Sequence, residues 1–171
     1  MLVRLLYAST AHPSVDGNEY RKILLTAQTK NNEASVSGML VFNQKYFLQV
    51  LEGDRSVLNA LYNKIAKDPR HHSLEILGIE EIATRDYGTW SMGYAAPTTL
   101  NRSLFMKYGS TADFNPYKMG VSASLAMMKE LAGQTVALKV KEQENAAANK
   151  PSLLSRIVGS KPTVDDTAPL S

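Results

Sequence analysis

The stretch KYFLQVLEGD, residues 45–54, constrains the fold more than any other part of the chain. Side chains on a strand alternate between the two faces of its sheet. Phe47, Gln49 and Leu51 therefore share one face, and Tyr46, Leu48 and Val50 the other. Both sets are apolar except for one amide, so a sheet containing this strand has to be covered on both sides. Gln49 in turn needs a partner, because a buried amide left unbonded costs about 1–3 kcal/mol.

The flanking segments supply the rest of such a sheet. LVRLLYAS, residues 2–9, reads as a first strand, apolar apart from Arg4. In EYRKILLTAQTKNN, Tyr20, Ile23, Leu24 and Ala27 recur at helical spacing, with Asp16 or Asn18 available as N-cap. SVSGMLVF and KYFLQVLEG, joined at Asn43-Gln44, form a hairpin. DRSVLNALYNKIAKDP carries Val57, Leu58, Leu61, Tyr62 and Ile65 on one stripe, with Asp54 as cap and Pro69 as stop. SLEILGIEEIATR and TWSMGYA give two more strands, the second with Trp90 and Met92 on one face. The order βαββαββ predicts an α+β, ferredoxin-like sheet with two helices on one face.

Those two helices cover only one side. The second cover is expected from TTLNRSLFMKYG and from the long helical segment GVSASLAMMKELAGQTVALKVKEQENAAANK, whose apolar positions include Leu125, Met128, Leu131 and Val136. Three parts are expected: a sheet domain over residues 1–96, a helical cap over 97–150, and a flexible tail over 151–171.

Composition removes several function classes. The chain has no cysteine, which excludes disulfides, thiolate nucleophiles, zinc–thiolate sites and cysteinyl-linked cofactors. The net charge is +3, with no basic stripe of the kind that direct nucleic-acid binding uses. No apolar run approaches the roughly 20 residues needed to cross a bilayer. MLVRLLYAS is too short and poorly flanked for a signal peptide, so a cytoplasmic location is expected. His12, His71 and His72 lack ligand-like spacing with carboxylates, and no metal site is expected. Adjacent Glu80 and Glu81 point to opposite faces of a strand, and neither GxGxxG nor a P-loop is present. The sequence offers no enzyme active site.

Tyr7, the Asn31-Asn32 pair, Gln49 and the Trp90–Met92 pair each have an ordinary structural reading: a core phenol, a helix cap, a loop-facing amide, simple packing. Together they carry more. LVRLLYAS, NNEASVSGMLVF, YFLQVLEGD, LYNKIAKDPRHHSL and WSMGY, in this order and spacing, resemble a BLUF domain, a blue-light sensor that uses flavin, over about residues 1–95. The later helical segments resemble the cap of short, stand-alone members, so no fused cyclase or phosphodiesterase domain is expected.

The resemblance implies a non-covalent flavin, FAD by family habit with FMN as the alternative, lodged between the two helices and the sheet. It implies that Tyr7 is the photochemical electron and proton donor, bonded to Gln49, and that Gln49 meets the flavin N5/O4 edge. Asn31 matches the asparagine that holds the pyrimidine edge, with Asn32 just after it. Arg70 and His71 match positions near the cofactor's polar side. Trp90 and Met92 match the two residues that exchange places near the flavin. Lys30, Ala27 and Ser37 depart from the asparagine or histidine, the serine and the threonine common there. The implied output is a changed affinity for a protein partner such as a transcriptional regulator, and homo-oligomers occur among short relatives. A flavin-dependent oxidoreductase and a flavin-free adaptor are the rival readings.

Overall fold

The structure is a computed structural model and describes residues 1–88, 92–95 and 102–148. Met1–Thr135 forms one compact unit and Val136–Ser171 a second, and every contact given below lies within the first. The tail expected over 151–171 falls outside the described residues.

The elements follow the order β1 (Leu2–Ala11), α1 (Gly17–Glu33), β2 (Ser37–Phe42), β3 (Tyr46–Asp54), α2 (Arg55–Ile65), β4 (His71–Glu81), β5 (Gly93–Ala95), α3 (Arg102–Tyr108) and α4 (Val121–Ala148), with a 3-10 turn at Pro116–Lys118 before α4. The five strands form one sheet in the order β4-β1-β3-β2-β5. All neighbours are antiparallel except β2 and β5, which run parallel. This is the expected α+β, ferredoxin-like arrangement.

Local chemistry sets the boundaries. The Asp16 carboxylate accepts from the N–H groups of Asn18 (2.9 Å) and Glu19 (3.0 Å), which starts α1. Asp54 starts α2 in the same way through Ser56 N–H at 2.9 Å. α2 ends at Ile65, short of Pro69. Asp68, preceding a proline, is biased away from helix, and the N–H groups of Ala66, Lys67 and Asp68 close a tighter turn onto the carbonyls of Tyr62, Lys64 and Ile65. In the β2–β3 hairpin, Asn43 Oδ1 accepts from Lys45 N–H (2.8 Å) and Tyr46 N–H (2.7 Å). β2 needs glycine at position 38, where a Cβ would sit 2.2 Å from the Val50 carbonyl oxygen.

The alternation expected on β3 organises both cores. Phe47 and Leu51 join Leu5, Tyr7 and Leu40 under α1 and α2, with Tyr20, Leu24 and Leu58 packed onto them. Leu48 and Val50 join Leu6, Met39 and Val41 on the opposite side, against Leu104, Phe105, Phe114, Met127, Met128 and Leu131. The segments after residue 97 therefore supply the second cover.

Two strands differ from expectation. β4 starts at His71 and ends at Glu81, against an expected 73–85, and Ser73 takes a left-handed φ of 52° beside the register break between Ala8 and Thr10. β4 is an edge: Ile76 and Ile79, opposite Tyr7 and Leu5, are half exposed. Among the described residues β5 runs over Gly93–Ala95 and Met92 precedes it instead of sitting within it, while residues 89–91 of the expected strand lie outside the described residues.

Candidate functional site

Between α1, α2 and the sheet lies a cavity of about 760 Å³. Its walls include Ile23, Leu40, Phe47, Leu51, Leu61 and Ile65, and its polar lining includes Tyr7, Asn31 and Gln49. That size and mixture are typical of a cofactor site.

The cavity's polar centre arises because β1 and β3 pair so that Tyr7 stands directly opposite Gln49. The Tyr7 hydroxyl donates to Gln49 Oε1 in a buried bond. Gln49 Nε2 donates to the Met92 sulfur at 3.3 Å, and Gln28 Nε2 donates to the Met92 carbonyl at 3.2 Å. The amide that interrupted the apolar strand thus bridges a phenol and a thioether. Burial pushes the Tyr7 phenol far above its ordinary value, with Tyr62 and Asp68 adding to the effect. It stays protonated and donates. The Tyr62 ring meets Tyr7 edge-on at 5.5 Å.

Polar residues surround this centre. Asn31 is buried in the last turn of α1, and its carbonyl accepts from Val36 N–H at 2.8 Å. Lys30 and Lys64 line the cavity from exposed positions. Arg70 holds Asp68 through two pairs, Nε–Oδ1 at 2.9 Å and Nη2–Oδ2 at 2.5 Å, and both residues line the cavity. The Arg70 bonds hold the Asp68 carboxyl below the usual carboxylate range. His71 places Nε2 2.8 Å from the Ile65 carbonyl and Nδ1 2.8 Å from Ser9 Oγ. A carbonyl only accepts, so Nε2 carries the proton and, in the neutral ring, Nδ1 accepts from the serine.

Of the residues singled out in the sequence, Tyr7, Asn31, Gln49, Arg70 and His71 line one cavity, and Met92 reaches it through Gln49. Asn32 is exposed at the end of α1, where its carbonyl accepts from the N–H groups of Ala34 and Ser35, and it does not line the cavity. Trp90 lies outside the described residues. Gln28, Lys64 and Asp68 were not anticipated. Gln28 was within reach of the pattern, since Leu24, Gln28 and Asn31 fall at i, i+4 and i+7 on one helical face.

Residues 2–93 match the family described as BLUF, sensors of blue-light using FAD. The chain belongs to the BLUF family. It is 34% identical over 93 residues to the photoactivated adenylate cyclase subunit alpha of Euglena gracilis, covering 53% of this chain and 9% of that protein. It is 29% identical over 92 residues to the blue light- and temperature-regulated antirepressor BluF of Escherichia coli (strain K12), covering 54% of this chain and 23% of that one. The chain thus spans less than a quarter of the length of these curated relatives. Among solved structures, it resembles BlsA in its photo-activated state with a TM-score of 0.70 and 31% identity, over 77% of this chain and 94% of that one. BLUF proteins sense blue light with a bound flavin, and the cavity suits that group: apolar walls for a flat ring, Tyr7, Asn31 and Gln49 for its polar edges, and cationic side chains for phosphate. Among the described residues no helix is long and apolar enough to cross a membrane, and no cluster of three metal-ligating side chains occurs.

Proposed function

We propose that this BLUF protein senses blue light through a hydrogen-bond switch at Gln49, and passes the signal on by protein contact, with no catalysis of its own. The observation that carries this reading is the buried bond from Tyr7 to Gln49 Oε1 in the lining of the cavity. When bound, the flavin supplies blue-light absorption and, once excited, an acceptor for one electron and one proton. Tyr7 is suited to give up both together, because burial keeps its phenol protonated, and it regains both when the dark state is restored.

Gln49 is the element that remembers. In the present orientation its carbonyl accepts from Tyr7 and its NH₂ faces the weakly accepting Met92 sulfur. Turned end for end, the amide presents its NH₂ to the Tyr7 oxygen and carries its carbonyl to the other side. Tautomerised to the imidic acid, it presents an O–H to Tyr7 instead, so one side chain offers two hydrogen-bond arrangements without breaking a bond to carbon. Asn31 holds the ring's pyrimidine edge, while Lys30, Lys64, Arg70 and His71 serve the polar side. Asn32 is left as part of the helix end.

The output follows from the two-sided sheet. Residues 1–96 carry the light-sensing unit, 97–150 a cap whose packing answers to it, and the partner is a cytoplasmic protein such as a transcriptional regulator, or a second copy of this chain. The antirepressor name of the Escherichia coli relative supports a protein partner. An absorption spectrum before and after blue light tests the reading: a reversible red shift is expected in the wild type. A yellow protein with no shift, or one that turns over steadily with a reductant, sinks it.

A further inference from the structure

Glu52 has 0% exposure, and the Tyr7–Gln49 pair makes no use of it. A buried carboxylate persists only when it is paired and fully hydrogen-bonded. Its Oε1 accepts from Arg4 Nε (2.9 Å), Arg4 Nη2 (2.7 Å) and Asp86 N–H (3.1 Å), and its Oε2 accepts from Tyr87 N–H (3.0 Å). One carboxylate on β3 therefore seats two consecutive backbone groups of the segment after β4.

The three side chains of that segment leave in different directions. Arg85 Nη1 donates to Ser37 Oγ (2.9 Å) and the Glu52 carbonyl (2.7 Å), and Nη2 donates to the Ser35 carbonyl (2.7 Å). Ser35 and Ser37 flank Val36, whose N–H closes the end of α1 onto the Asn31 carbonyl. Asp86 accepts from Arg4 Nη2 (2.7 Å) and from Lys129 Nζ of α4 (2.8 Å). Tyr87 is buried in the core shared with Met127 and Met128 of α4.

We propose that Arg85, Asp86 and Tyr87, seated on Glu52, form a coupling element that joins the cofactor-holding end of α1 to the cap helix α4. The assignment of α1 as cofactor-holding rests on the reading of Asn31 above. The strengths of the contacts suit coupling better than simple bracing. The inner seat is a buried charge cluster that resists disruption. The outer link, Lys129 to Asp86, joins side chains that are 67% and 33% exposed, and exposed pairs of this kind contribute little stability. A firm seat with a weak outer contact lets a small displacement at Ser35–Ser37 change the hold on α4 without unfolding anything. Coupling of this kind acts in both directions.

Residue-resolved hydrogen exchange on the full chain tests it from the α4 end. In the dark, Lys129→Glu is expected to raise exchange of the Val36 N–H and its neighbours about threefold, an effect of the size exposed ion pairs supply. Lys129→Arg, which keeps the pair, leaves exchange at the wild-type rate. If Lys129→Glu loosens residues 121–135 yet leaves Val36 unchanged, the coupling is refuted. Under blue light, Asp86→Asn is expected to keep the flavin red shift while losing the light–dark difference in exchange over residues 121–135. A difference that survives in this variant also refutes it. A wild type with a normal red shift and no exchange difference in α4 overturns the cap as output instead, and the dark comparison still decides the coupling.

Discussion

Leu48, Gln49 and Val50 are consecutive on β3, yet they face two different kinds of interior. On the α3/α4 side, Leu48, Val50, Met127 and Met128 are all at 0% exposure and interlock across the sheet. On the α1/α2 side, Gln49 faces a 760 Å³ cavity beside side chains that are only half buried, such as Ile23, Leu61 and Ile65. Interiors normally pack to the density of organic crystals, so the cap side is finished without help and the other side is completed by a ligand. The period of two along a strand is what lets one segment serve both purposes. Stability can be concentrated on one face while the other is left free to switch.

That contrast can be broken in four places. The largest effect is expected from Gln49→Leu, which keeps the volume and flavin binding but abolishes the light-induced red shift, read as a light-minus-dark absorption spectrum. Val50→Ala, one residue away on the filled side, should leave the shift in place. A lost shift in the second variant, or an intact one in the first, would collapse the distinction between the faces.

The second test compares truncations in flavin-free protein by urea denaturation. Met128→Ala should cost about 2–5 kcal/mol, the usual range for a fully buried side chain. Ile23→Ala, at the cavity wall, should cost less than about 1 kcal/mol and should weaken flavin binding instead. Equal costs would mean that both sides are packed alike.

The third is a titration. Burial raises the phenols of Tyr7 and Tyr87, one on each face. Above about pH 10 the unfolded chain releases these protons while the folded one retains them, so stability present below that pH is lost as pH rises. Each phenol contributes a fall of about 1.4 kcal/mol per pH unit. Tyr7→Phe and Tyr87→Phe should each remove one such increment from denaturation curves taken between about pH 10 and 11. The smallest effect is Asp16→Ala, which uncaps α1 on the cavity side and should cost about 1 kcal/mol, read as a lower unfolding midpoint with faster flavin release.

Much of the cavity was legible because it breaks a pattern: an amide in an apolar strand, a tyrosine ending another, an asparagine at a helix end. Glu52 was hidden for the opposite reason. It sits at the end of β3, where a carboxylate before Gly53 reads as the start of a turn, and its burial rests on long-range partners: Arg4, set opposite it by the register, and the N–H groups of Asp86 and Tyr87. Pairing across 48 residues is not visible in local periodicity. The hint was that Arg4 is the sole charge in a strand otherwise apolar on both faces. Asn32 was drawn toward the site by adjacency to Asn31, yet successive helical residues lie about 100° apart, so one is buried and the other exposed. Met92 shows a related limit, since alternation placed it inside a strand that begins only at Gly93.

The edge strand β4 has a consequence for how the protein behaves as a colloid. Its half-exposed Ile76 and Ile79 sit near Glu75 and Glu81, and acidic side chains at an open edge discourage strand-to-strand sticking. That repulsion reaches about 10 Å at 0.1 M salt and about 3 Å at 1 M, whereas the isoleucines stay as adhesive as before. Concentrated stocks will therefore keep best in dilute buffer, and salting them is expected to favour sticking through the β4 edge.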